Sequence, residues 1–242
     1  MRRGARILGS LLIAGGILTL AWAVLVWQWQ DPFTAVYTHW KQRELGADLN
    51  REFAHYRPVT LPRHAQGQRV DPVAALHAVA LDAAHFRRTA KTGQAIGRIV
   101  VPRLGLSMVL VNGTDEETLK RGPGRDLRTY MPGQNRLVYV AGHRTTYLPP
   151  FSHIDSIRPG DRITLEMPYA TFVYRAVRHR IVPATDLSVL RSPTHELLEL
   201  QACHPRFFAT HRYIVYARLV RVTPRGGDAV SPQRIAAARG QD

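Results

Sequence analysis

The sequence is short of cysteine. Its 242 residues contain one, Cys203, which excludes an internal disulfide and any zinc site built on several thiolates. Acidic residues are scarce as well: 18 Asp and Glu stand against 33 Lys and Arg, for a formal charge of +15. That balance calls for an anionic surrounding such as nucleic acid, a membrane surface or an acidic polymer. Nucleic acid is not the expected partner. The chain has no zinc-finger spacing, no aromatic RNA-binding motif and no phosphate-cradling Gly-rich loop followed by Lys and Ser or Thr. Internal repeats are absent, and so is a second apolar stretch of spanning length. Global disorder is excluded by an apolar fraction of 45%.

The one long apolar run is N-terminal. Arg2, Arg3 and Arg6 precede uncharged, mostly apolar residues 7–29, enough to cross a bilayer as a helix. Basic residues ahead of the run favour a cytoplasmic N-terminus, and Trp22, Trp27 and Trp29 fall toward the far interface. Ala21-Trp22-Ala23 resembles a signal-peptidase site, but the run continues through Trp27, long for a cleaved signal. Both readings export the body of the protein, and the sequence favours the anchor. The expected layout is a cytoplasmic basic tail over 1–6, a transmembrane anchor over 7–29, an extracellular helical stalk over 30–95, a β domain over 96–222 and a flexible tail over 223–242.

Residues 31–56 have a helical look and end at Arg57-Pro58. Asp71-Pro72 is a good N-cap and first-turn pair for a second helix to about Lys91. Val73, Leu76, Val79, Ala80 and Phe86 form its apolar face, and His77 and His85 read as surface residues. From Gly97 on, the texture is that of an all-β domain. Alternating runs at 98–102, 107–111, 137–141, 162–167, 171–179, 196–202 and 213–222 are separated by Gly, Pro, Asn and Asp. Thr114 caps a helical turn with Asp115, Glu116 and Glu117 behind it. Seven or eight short strands with few helices predict a closed or nearly closed barrel.

Chemistry gathers at three strand ends. On the run that ends at Cys203, Leu198, Leu200 and Ala202 share one face, and Glu199, Gln201 and Cys203 share the other. The thiol therefore points away from the apolar side. The chain returns through a hairpin-like loop to Arg212, which sets a guanidinium across from the thiol. His143 ends an earlier strand. A thiol, an imidazole and a guanidinium so placed can act as nucleophile, proton carrier and oxyanion stabiliser. His204 and His211 are rival bases by proximity. A metal site at Cys203, His204 and His211 fits no common zinc spacing, and no metal or other cofactor is expected.

From about Gly97 to Val222 the chain resembles the sortases, cysteine transpeptidases of the Gram-positive cell surface. The resemblance rests on several motifs in order: Ile99-Val100-Val101-Pro102, Gly122-Pro123-Gly124, Met131-Pro132-Gly133, Val140-Ala141-Gly142-His143-Arg144, Phe151 to Asp155, Pro159-Gly160-Asp161, Glu199 to Cys203, and Arg212 to Tyr216. The His143-Arg144-Thr145-Thr146-Tyr147 and Cys203-His204-Pro205-Arg206-Phe207 segments look most like the class E type of actinobacteria.

The resemblance implies an eight-stranded β-barrel, with His143 as catalytic histidine, Cys203 as nucleophile and Arg212 as oxyanion-stabilising arginine. It implies cleavage of a Leu-Pro-x-Thr-Gly or Leu-Ala-x-Thr-Gly sorting signal after Thr, through a thioacyl-enzyme. The implied partners are surface proteins bearing a C-terminal sorting signal, a peptidoglycan-precursor or pilin amine as acceptor, and the cell membrane. Tyr130, Thr145, Thr146, Tyr147 and Ala202 are candidate substrate contacts.

The family usually has Thr before the cysteine, and here Ala202 stands there. If that hydroxyl orients the arginine or the substrate, this chain lacks a bond worth about 0.5–1.5 kcal/mol. An alternative reading follows: a weakly active or inactive β-barrel that binds anionic wall or membrane components. A papain-like protease is disfavoured, because His143 precedes Cys203 in the chain.

Overall fold

The structure, a computed structural model, describes residues 2–29, 32–58 and 71–232. Three helices lead: α1 (Arg2–Trp29), α2 (Pro32–His55) and α3 (Pro72–Thr89). Eight strands follow: β1 (Ala95–Val101), β2 (Leu106–Asn112), β3 (Gly124–Arg125), β4 (Leu137–Ala141), β5 (Arg162–Glu166), β6 (Ala170–Pro183), β7 (Leu197–His204) and β8 (His211–Pro224). A short helix α4 (Glu116–Leu119) lies between β2 and β3.

The strands close into a barrel in the order β1-β2-β3-β4-β7-β8-β6-β5. Two neighbouring pairs, β2 with β3 and β4 with β7, are parallel, so strands distant in sequence meet side by side. Alternation places Ile99, Leu110, Val140, Leu165, Phe172 and Leu200 in one core inside the barrel. A smaller cluster outside the barrel wall joins Leu137, Tyr139, Ala141, Val182, Ile214 and Tyr216.

The expected all-β barrel is what forms, with particular differences. β3 is two residues long and falls in a segment whose Gly and Pro read as turn. The cap of α4 is Asp115, whose Oδ1 accepts from the Thr118 amide at 3.0 Å, one residue later than Thr114. α2, part of the expected stalk, packs on the barrel: Leu45 and Leu49 bury against Ala95, Val109 and Val111. Gln42 of α2 bonds Val109 through both its amide and its carbonyl, at 2.7 and 3.2 Å, and reaches the Arg121 carbonyl at 2.7 Å. α3 buries Val79, Ala83 and Phe86, with Asp71 capping as expected and His77 and His85 exposed. The tail is not free from Thr223 on, because Val230 exchanges two backbone bonds with Val222 at 2.8 and 2.7 Å. Its last ten residues, 233–242, lie outside the described residues.

Candidate active site at the β4, β7 and β8 ends

The barrel brings three strand ends together. β4 and β7 run parallel, with Ala141 beside Gln201. The Gly142 amide extends that pairing by donating to the Gln201 carbonyl at 3.0 Å. His143 thus leaves β4 at the level where Cys203 completes β7. A side chain at Gly142 would put its Cβ 2.7 Å from Phe151 and Pro150, so glycine is what lets those two side chains pack against the strand end. Cys203 pairs directly with Arg212 across the antiparallel β7/β8 ladder. His143, Cys203 and Arg212 all line one cleft of about 270 Å³.

The cleft has two walls of different character. Leu119, Ala141, Leu187, Val189 and Leu190 supply the apolar one. Thr114, Asp126, Arg128 and Gln201 supply polar groups. Asp126 is held by Arg128 in a two-pronged pair at 3.0 and 2.7 Å. Despite its burial, the hydrogen bonds from Arg128 keep its carboxyl below the usual range.

Each of the three residues carries its own constraint. His143 is buried enough to lower its pKa, chiefly by desolvation, with Glu116 opposing and Lys120 adding to the shift. Its Nε2 is buried and makes no hydrogen bond with the described residues. Tyr147 lies over its ring with centroids 5.3 Å apart. Arg212 donates from Nη1 to the carbonyls of Ala209 and His211 at 2.7 and 3.0 Å. That tethers the guanidinium to its own hairpin, and among the described residues Nε and Nη2 bond nothing. Cys203 is partly exposed, and no hydrogen bond joins its thiol to His143 among the described residues. An apo site commonly has such loose geometry, tightening when substrate arrives.

Arg144 locks this end of the barrel. It is almost fully buried. Its Nη1 donates to the Cys203 carbonyl at 3.3 Å and meets His204 Nδ1 at 2.9 Å, while Nη2 pairs with Asp155 at 3.0 Å. One guanidinium therefore ties the loop after β4 to the end of β7. His204 is occupied by this contact, and burial followed by the Arg144 charge lowers its pKa.

The remaining sequence candidates lie elsewhere. Thr145, Thr146 and Tyr147 follow His143 half-buried and do not line the cleft. Tyr147 instead receives α2: its amide donates to Thr34 Oγ1 at 3.0 Å, and Tyr37 meets its ring edge-on at 6.5 Å. Tyr147 and Leu148 hold φ of 58° and 46°, the left-handed region that side chains disfavour. Tyr130 bonds the Leu137 carbonyl at the start of β4, away from His143, and lies under the Arg87 guanidinium at 4.3 Å. Ala202 is fully buried in the barrel core, on the face of β7 opposite Cys203. Sequence reasoning missed Asp126 and Arg128, which depend on the β3 pairing; Gln201 lines the cleft on the face of β7 that alternation already shared with Cys203.

Comparison with known proteins bears on this geometry. Residues 99–220, 122 of the 242, match the Sortase domain family model. Sortase D of Bacillus subtilis is 33% identical over 135 residues, covering 54% of this chain and 66% of that protein. Sortase SrtE1 of Streptomyces coelicolor is 29% identical over 151 residues, covering 55% of this chain and 42% of that protein. The match therefore spans less than two thirds of either relative. The crystal structure of Sortase E1 from Streptomyces coelicolor with a tripeptide in the active site superposes with a TM-score of 0.52 at 27% identity, covering 57% of this chain and 95% of that one.

Proposed function

The chain belongs to the sortase family, and from that premise we propose that it works as a membrane-anchored cysteine transpeptidase. The observation that carries the reading is the register pair Cys203–Arg212, with His143 on the same cleft. The substrate is a surface protein ending in a Leu-Pro-x-Thr-Gly or Leu-Ala-x-Thr-Gly signal. Its apolar residues suit the wall formed by Leu119, Leu187, Val189 and Leu190.

The chemistry runs in two halves. His143, kept neutral by burial, accepts the thiol proton as Cys203 attacks the Thr carbonyl carbon. The developing oxyanion meets Arg212 through Nε and Nη2, the donors that its hairpin does not use. The C–N bond to Gly breaks, and the imidazolium gives its proton to the departing amine. A thioester remains on Cys203. An amine of a peptidoglycan precursor or of a pilin then attacks that thioester. His143 takes the amine proton and returns it to the sulfur as the thiolate leaves.

The anchor belongs to the same reading. Arg3–Val24 within α1 is long and apolar enough to cross a membrane and none of it is buried in the protein, so it lacks the buried surface of a core helix. The barrel then lies outside the cell. The case for a catalytically weak module rested on Ala202, and its burial on the opposite face of β7 from the thiol weakens it.

Mass spectrometry of the purified protein with a panel of signal peptides and candidate amines tests the reading. The expected result is a thioacyl adduct that an amine resolves. Cys203→Ala should form none, and an adduct on that variant would remove Cys203 as nucleophile. Arg212→Lys should form it far more slowly, because an ammonium lacks the planar fork; near-normal rates would remove the oxyanion role.

A further inference from the structure

The apolar run at the N-terminus ends at Trp29, and Thr34 lies five residues further on. Five residues extend at most about 18 Å. Thr34 accepts the Tyr147 amide bond at 3.0 Å, and Tyr147 covers the His143 ring at 5.3 Å. The chain length alone therefore fixes which end of the barrel lies nearest the end of α1. It is the end that carries the cleft.

That end also carries exposed apolar side chains. The β7–β8 hairpin turns two residues beyond Cys203, and at its tip Phe207 and Phe208 are 56% and 77% exposed. Arg144 bonds both Cys203 and His204, which ties this hairpin to the loop holding Tyr147. Leu148 is exposed on that loop, and Val36 and Trp40 are exposed on the first turns of α2. The hairpin from His204 to Arg212 contains two arginines, Arg206 and Arg212, and no acidic residue. Exposed aromatics beside cationic groups are the composition of a membrane interface.

We propose that the β7–β8 tip docks on an anionic bilayer, Phe207 and Phe208 entering the headgroup region. This rests on the anchor reading and goes beyond it. An anchor alone leaves the barrel free to tumble on a tether, whereas docking holds the cleft facing the lipid. Acyl donors and acceptors that are themselves held at the bilayer then arrive at the cleft directly.

The test uses the full chain with Cys203→Ala, reconstituted in vesicles of phosphatidylglycerol and phosphatidylethanolamine. Single cysteines at L18C, F208C and V177C carry a fluorophore, and lipids with a shallow spin label quench it. Val177 is on the barrel wall, partly exposed in β6. A tip buried at headgroup depth is quenched at least about threefold more at 208 than at 177. Equal quenching at 208 and 177, with L18C quenched, overturns the docking and leaves the anchor intact. No quenching at L18C overturns the anchor reading and the docking with it. A probe at 208 shielded from lipid, with F208C crosslinking to itself, overturns the docking in favour of contact between two copies. Should F208C fail to fold, F207C reports the same depth.

Discussion

Glu199 holds a buried carboxyl four residues before Cys203 on the same face of β7. Its register neighbours are Tyr139 on β4 and Tyr216 on β8, and its Oε2 has no partner among the described residues. Desolvation pushes its pKa up to about 8, against a smaller opposing pull from Arg178 and Arg180. A raised carboxyl favours the folded state while it stays neutral. That stability is intact below the ordinary pKa of 4.5 and is lost as pH rises through about 8. Glu199→Gln keeps the shape and removes the titration. Between those two pH values the variant should gain on the parent by at most about 1.4 kcal/mol per pH unit. Thermal unfolding at pH 5 and pH 7.5 measures this, and parallel behaviour of the two proteins would show that Glu199 ionises without penalty. Ala202 gives the contrasting case on the opposite face. Restoring the family's threonine there places a hydroxyl among core side chains, at a cost of about 1–3 kcal/mol if it finds no partner. Ala202→Thr should therefore lower Tm and leave adduct formation nearly unchanged. A large gain in rate at constant stability would mean that position 202 acts on the cleft after all.

The docking of α2 is the element on which the cleft's surroundings depend. Its polar seam consists of Gln42 against Val109 and Arg121, Thr38 Oγ1 donating to the Lys120 carbonyl at 2.8 Å, and Thr34 against Tyr147. Gln42→Ala removes three bonds to backbone groups, for an expected loss of about 1–3 kcal/mol in helix docking. Hydrogen exchange should show the α2 amides losing protection while β7 and β8 keep theirs. Equal loss across the barrel would mean that α2 and the barrel unfold as one unit. This seam explains why the helix read as a stalk. Amphipathic periodicity signals an apolar contact such as that of Leu45 and Leu49, whereas the first half of α2 docks through Thr34, Thr38 and Gln42, which no hydrophobic pattern reports. The long strands were legible because alternation is a local property of the chain. β3 was not, because two residues, Gly124 and Arg125, show no period and their pairing with β2 and β4 is fixed by tertiary contact. The same distinction governs the cleft. His143, Cys203 and Arg212 stand at the ends of readable strands, whereas Asp126 and Arg128 reach the cleft through β3. Tyr130 and Tyr147 carried equal weight as sequence candidates, and only their partners, Arg87 for one and α2 for the other, separate them from the cleft.

At the scale of the whole molecule, charge and anchor argue for one orientation. Arg2, Arg3 and Arg6 lie at the start of α1, ahead of its apolar run, and short basic segments hold their side of a membrane in the cytoplasm. On the proposed topology the body beyond Trp29 emerges outside, where a basic protein meets anionic headgroups and wall polymers. Protease added to intact cells tests this topology when an epitope tag marks the N-terminus. Everything beyond the membrane should be removed, leaving a tagged fragment little longer than α1 inside the cell. Full protection of the chain would place the barrel in the cytoplasm and remove the transpeptidase reading, since neither sorting signals at the surface nor wall amines could reach Cys203. Loss of the barrel without a retained fragment would mean cleavage near Ala21-Trp22-Ala23. In that event Thr34 would still hold Tyr147 over His143, but nothing would hold that end of the barrel at the bilayer except the Phe207-Phe208 tip.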